Sequence, residues 1–194
     1  MKKAIAAGAA ALLVLLAAAG LYALEYPIRA DNSNLVPYAD QFLNRGLRDT
    51  GLSFPNDIRL YDTVLLGARK FTLAEINGQL GEIRLVRGLN GRYRIDSVGQ
   101  GGGSVRSALL TDGEADCRVL LGGRNGLGLI AEAVCTVAGR PYRTDIPQAD
   151  HFYLLLEVEP PSPLDSDHPL DVRFYDAEGA DITGILLGDP PAGR

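Results

Sequence analysis

Three hydrophobic patterns follow one another along the 194-residue chain. The first is an unbroken apolar run: residues 4–24 carry no charge, and 19 of these 21 are apolar, all but Gly8 and Gly20. In the second, Val36, Ala39, Phe42, Leu43 and Leu47 recur at helical spacing. Pro37 suits a first turn, Asp40 lies near the positive end of the helix dipole, Arg45 and Arg48 lie near the negative end, and Gly51 marks a stop. This predicts one amphipathic helix over 36–48, whose apolar face must cover the sheet that follows.

From Ile58 onward the period changes to two. Strands are predicted near 58–66, 71–76, 80–87, 92–98, 104–110, 116–122, 129–137, 141–146, 151–158, 171–176 and 180–186. Asn77-Gly78, Asn90-Gly91, Asp112-Gly113 and Asn125-Gly126 punctuate them. These residue types tolerate the positive φ of tight hairpins, so the strands are expected to be antiparallel neighbours. Glycine agrees: after the leader it is 21 of 170 residues, more than an average chain carries and a sign of many turns. The fold class expected is mainly β, an antiparallel, meander-rich sandwich or open barrel with one N-terminal amphipathic helix behind a transmembrane or signal helix.

Two hairpins can be registered from the letters. Keeping Ile83, Leu85, Tyr93 and Ile95 on one face pairs 85 with 95 and 83 with 97. The loop is then Leu89-Asn90-Gly91 with Gly91 left-handed, and Arg84 faces Asp96 across the strands. In the same way Cys117 and Cys135, the only cysteines, are symmetric about residue 126, the centre of GGRNGLG (122–128). A hairpin centred there sets them directly opposite on one apolar side, within disulfide range. A structural disulfide is expected outside the cytoplasm; the alternative is two buried free thiols.

The N-terminus sets the compartment. Met1-Lys2-Lys3 precedes the apolar run, whose length suits an uncleaved anchor. Ten of its 21 residues are alanine, and Ala17-Ala18-Ala19 has cleavage-site character, so a cleaved signal peptide is the other reading. Either way the lysines stay inside and residues 25–194 lie outside. With no cysteine before Cys117, a lipidated cysteine just after the run is excluded. The division expected is 1–24 signal anchor or signal peptide, 25–35 spacer, 36–187 one β-rich extracytoplasmic domain, and 188–194 a flexible tail.

Charge removes one partner class. Residues 25–194 hold 17 basic and 24 acidic residues, a net of −7, with no basic stripe, which argues against nucleic acid. The membrane, through residues 4–24, is the expected partner, together with an envelope protein or polymer.

Candidate chemistry is thin. His151 and His168 have Ser104 or Ser107 as triad partners, but there is no G-x-S-x-G elbow, and two histidines 17 apart lack a zinc-site pattern. Gly99–Gly103 (GQGGG) precedes a strand rather than a helix, so a flexible crossing between meanders is expected, not a phosphate loop. Gly122–Gly128 is expected to be a hairpin tip, the alternative being a backbone nest with Arg124 for an anion. Asp165, Asp167 and Asp171, or Asp176, Glu178 and Asp181, offer oxygen ligands without EF-hand spacing. Pro160-Pro161-Ser162-Pro163 reads as a stiff connector. No cofactor, metal or catalytic residue is expected. A weak internal echo, VLLGAR (64–69) with VLLGGR (119–124) and GRYRID (91–96) with GRPYRTD (139–145), raises a duplicated meander.

The run LYDTVLLGARKFTLAEINGQLGEIRLVRGLNGRYRIDSVG (60–99), followed by VLLGGRN, GRPYRTDIP and YDAEGADIT, resembles a family of small, signal-anchored, uncharacterised extracytoplasmic proteins of Gram-positive bacteria. The likeness spans roughly 26–184 and its motifs are turns and strands. It implies export and one β domain; the family has no assigned activity, so no functional residue carries over. The function expected is a membrane-tethered binding or interaction module without chemistry. The alternative is a secreted or tethered envelope-polymer hydrolase using surface carboxylates.

Overall fold

A computed structural model describes residues 2–112, 116–161 and 170–187, with side chains from Leu12 on except at Arg48 and Asp49. Among these residues ten strands form three antiparallel sheets. The first is the meander β1 (Ile58–Leu66), β2 (Arg69–Ile76), β3 (Gln79–Arg87) and β4 (Tyr93–Gly101). The second has the order β5 (Val105–Asp112), β6 (Asp116–Arg124), β9 (His151–Val158). The third has the order β10 (Asp171–Tyr175), β7 (Glu132–Val137), β8 (Arg140–Asp145).

Alternation along each strand explains how they stack. Phe71, Leu73 and Leu80 on one face of the first sheet meet Leu110, Leu120 and Tyr153 of the second. The opposite face carries Ala74, Ile76, Ile83, Leu85 and Tyr93, covered by Leu35 and Ala39 of α2 (Leu35–Leu43). Cys117, Val119, Leu121, Phe152 and Val158 leave the second sheet on its other side, against Ala133, Cys135, Val137 and Phe174 of the third. The order of layers is therefore helix, sheet, sheet, sheet. The two central sheets are buried on both faces, which is why β2 and β6 are almost continuously buried rather than alternating.

The expected helix ends early. Asn44 takes over as cap: its Nδ2 donates to the Asp40 carbonyl and its Oδ1 accepts the Phe54 N–H, and a 3₁₀ segment follows over Arg45–Thr50. The segment expected as a spacer is packed into the fold. Ile28 is buried and bridges Tyr93 at the open edge of β4, and Lys70 Nζ donates to the Ala30 carbonyl at 2.6 Å. Ahead of it, α1 (Lys2–Glu25) is a 24-residue helix. Among the described residues no helix is long and apolar enough to cross a membrane; the side chains described on α1 begin at Leu12.

The β3–β4 hairpin keeps half of its expected register. Leu85 pairs with Ile95 and Gly91 is left-handed at φ 74°, as expected. A bulge between Arg84 and Leu85 then shifts the pairing, so Ile83 meets Val98 and Arg84 meets Ser97. The Arg84–Asp96 pair is thus corrected: Arg84 Nε donates to Glu82 instead. Asn77-Gly78 forms the two-residue hairpin expected, with φ 52° and 80°. Gly99 and Gly101 lie inside β4, and the crossing to the second sheet runs over 102–104.

The last predicted strand, 180–186, is corrected to a bridge and a helix. Only Asp181 pairs, with Tyr175; α3 (Thr183–Leu187) follows, its first N–H held by Asp181 Oδ1 at 2.9 Å. Ile182 and Leu186 stand four apart, so a helical turn sends both to the core where a strand would also do so for Gly184. The two echoed motifs do not mark a repeated meander. VLLGAR closes a hairpin to β2, whereas VLLGGR ends β6 and leads into a different sheet.

The β7–β8 turn stores strain at Ala138, which sits at φ 49° ahead of Gly139 at 75°. A left-handed alanine costs about 1–2 kcal/mol, and asparagine tolerates that region better. Ala138→Asn should therefore raise stability by about 0.5–1 kcal/mol; an unchanged or lower urea midpoint would remove the argument.

Candidate functional site

The GGRNGLG segment is neither of the forms expected. β6 pairs with β5 and β9, not with β7, so the chain crosses here from the second sheet to the third. The reason lies in Asn125, which is buried. Its Nδ2 donates to the carbonyls of Ile130 (3.0 Å) and Pro147 (3.2 Å), and its Oδ1 accepts the Ile130 N–H at 2.9 Å. Its own N–H donates to the Asp150 carbonyl, and a tight turn closes from Gly128 N–H to the Asn125 carbonyl. One amide thus fastens the 125–130 loop to the 147–150 loop in place of a hairpin ladder.

Those two loops line a cleft of about 560 Å³, together with Glu75, Ser104, Arg124, His151 and Leu186. Two leucines of the 125–130 loop face outward: Leu127 is 84% exposed and Leu129 52%. Leu186, buried at the end of α3, closes another side, fixed by the Ser104 N–H on its carbonyl. Neither leucine was singled out in the sequence, where they read as part of a glycine-rich turn. The available signal was two large apolar residues in a turn that otherwise needs none.

Two of the polar groups that line the cleft, Arg124 and Glu75, engage each other. Arg124 reaches Glu75 at 3.1 Å and donates to the Gly78 carbonyl at 2.8 Å, so its guanidinium is not presented to an anion as the nest reading required. Glu75 also accepts the Tyr61 hydroxyl at 3.3 Å. The Tyr61 phenol is pushed up by burial first and then by the Glu75 charge. His151, the first residue of β9, stacks on the Tyr61 ring with centroids 3.7 Å apart. Its Nε2 is buried and has no hydrogen-bond partner. Ser104 lines the same cleft without hydrogen-bonding His151, and Ser107 lies elsewhere, beside Glu82 and Arg106. An imidazole acts as a base only where a ring nitrogen meets the group it deprotonates. Among the described residues no Ser–His pair has that geometry.

The remaining candidates are scattered. Asp171 pairs with Arg173, Asp176 caps its own turn through Glu178 and Ala180 N–H groups, and Asp181 caps α3. No cluster of metal-ligating side chains occurs among the described residues. His168, Asp165, Asp167 and Pro163 lie outside those residues. Cys117 and Cys135 are the clearest correction. Cys117 pairs with Thr111 and Val158, and Cys135 with Val172 and Tyr142, on two different sheets. The direct cross-strand register that suggested a disulfide is absent, and both are buried free thiols in the core between the second and third sheets.

No protein family model, curated protein or solved structure matches the chain. The geometry alone therefore carries the functional argument.

Proposed function

We propose that this chain is a membrane-tethered extracytoplasmic β domain that binds a ligand or partner in the cleft between the 125–130 and 147–150 loops and performs no chemistry on it. The observation that carries this is the mismatch within the cleft. Its one guanidinium, Arg124, is held by Glu75 and the Gly78 carbonyl, while Leu127 and Leu129 stand in water at its mouth. Exposed apolar residues around a concave site mark binding surfaces. The stacking of three cores supports a sandwich rather than an open barrel.

The tether reading rests on α1. Counted with residues 4–11, whose side chains lie outside those described, its 24 residues span about 36 Å against a bilayer core of about 30 Å. Leu12, Leu13, Val14, Leu15, Leu16, Leu21 and Leu24 are all exposed, on every side of the helix. Lys2 and Lys3 ahead of the apolar run support an orientation with the opposite end outside.

A photo-crosslinking residue in place of Leu127, in the full chain in its own membrane, tests the binding role. The expected result is an adduct of discrete mass that disappears with Leu129→Asp. The same probe at Leu65, exposed but outside the cleft, is the control. No adduct at 127 beyond that at 65 would overturn the proposal.

A further inference from the structure

We infer that the turn between β3 and β4 is a second membrane contact, docked on the anionic surface of the same bilayer that α1 enters. The inference rests on the tether reading and extends it from the helix to the β domain.

The junction of α1 with the domain fixes the height of this turn. The Leu89 N–H donates to the Tyr22 hydroxyl at 2.7 Å, and Tyr22 stacks on Tyr26 with centroids 4.8 Å apart. Gly88 lies so close that a Cβ there would meet the Tyr26 ring at 2.7 Å. Arg94 spans Glu25 at 3.6 Å and the Tyr26 ring at 5.6 Å. Tyr22 precedes Glu25 by three residues, about 4.5 Å along the helix axis toward the bilayer. A turn bonded to Tyr22 therefore sits at the level where Tyr22 itself would lie, the headgroup boundary that tyrosines favour.

What the turn presents fits that place. Leu89 is 98% exposed, the most exposed large apolar side chain among the described residues. Arg87 and Arg92 flank it, both exposed and without an ion pair among the described residues. Between Glu82 and Asp96 the chain has four arginines and no acid. On a domain whose residues 25–194 carry a net −7, this is a local reversal of sign. Basic side chains beside a membrane entry point are drawn to anionic lipid, and an apolar side chain between them can enter the interface. The occupant is thus the bilayer rather than another protein.

The chain contains no tryptophan, so single-tryptophan variants report their own depth. Full-length Leu89→Trp and Leu16→Trp proteins would be placed in vesicles of phosphatidylcholine alone, or of phosphatidylcholine and phosphatidylglycerol in equal amounts, each with brominated acyl chains. The expected result is quenching at position 16 in both, and a blue shift with quenching at position 89 in the anionic vesicles. Arg87→Glu with Arg92→Glu should abolish the quenching at 89 and leave that at 16. Quenching at 16 without quenching at 89 overturns the docked turn while the tether stands. Absence of both overturns the tether, and the docked turn with it. Quenching at 89 that ignores lipid charge and arginine reversal overturns the anionic surface as its partner.

Discussion

Glu82→Ala should destabilise the domain by about 2–4 kcal/mol, the largest loss expected from any single polar substitution here. Glu82 is 5% exposed on β3, on the face turned to the second sheet. It accepts the Tyr153 hydroxyl at 2.7 Å from β9 and the Arg84 Nε from its own strand. Truncation leaves the buried Tyr153 hydroxyl between two sheets without its acceptor. Arg84 is half-exposed and recovers solvent, which keeps the loss below that of a fully buried ion pair. Tyr153→Phe should cost about 1–3 kcal/mol, because Glu82 retains Arg84. The two losses should be less than additive, since each variant breaks the same bond.

For a domain of this size about 1 kcal/mol moves Tm by roughly 2–4 °C, so the effect is readable in a thermal melt. Full additivity in the double variant would show that the two groups do not share a bond. The network also explains Gly122, whose Cβ would lie 2.5 Å from the Tyr153 ring.

Stability should hold near neutral pH and fall steeply above about pH 9, through groups whose protons the fold retains. Burial, and then the nearby Asp171 charge, push the Cys135 thiol from its ordinary 9.0 to about 12. Burial followed by Asp116 pushes Cys117 up as well. Burial, then the Glu82 charge and hydrogen bond, push the Tyr153 phenol far above its ordinary 10.0. For each, the folded pKa exceeds the unfolded one. Its contribution is fully present below the unfolded value and is lost as pH climbs toward the folded value, because only the unfolded chain ionises there.

The slope is about 1.4 kcal/mol per pH unit for each such group, at most about 4 kcal/mol for Cys135 between its two values. Lys70 opposes them. Burial lowers its pKa, against a smaller opposite pull from Asp31, so its charged form is penalised in the fold and that penalty fades as pH approaches 10.5. Tyr61, also pushed up by burial, adds to the three, and one group against four leaves a net loss. Urea midpoints taken from about pH 7 to 11 should drop, and Cys135→Ala should flatten the first part of the fall. A midpoint constant to the end of that range, or no free thiol in the unreduced denatured protein, would refute this account.

The correctly read parts are local ones. Asn77-Gly78 and Gly91 form the turns their residue types predict, because positive φ is a property of one or two residues and their bonds. Strand positions follow from side-chain alternation, which a strand imposes on any partner. The helix over the first sheet follows from spacing within nine residues, though Asn44 ends it sooner than its apolar face suggests. The Glu82–Tyr153 contact could not be read, since the two residues are 71 apart and meet only because two sheets stack.

The position of ten strands, the hairpin turns at Asn77-Gly78 and Gly91, and the antiparallel sense were thus determined by the sequence itself, through forces acting over a few residues. Partner choice was decided only in the tertiary structure. A hairpin about residue 126 and a crossing there place the same apolar residues of β6 toward a core, so alternation cannot separate them. The buried amide of Asn125 separates them, by satisfying carbonyls of two loops that a hairpin would leave apart. That choice put Cys117 and Cys135 on facing sheets, made β9 the second neighbour of β6, and opened the cleft where Leu127 and Leu129 stand. Pairing energies are nearly degenerate along a β chain, and only the sum of long-range burial selects among them.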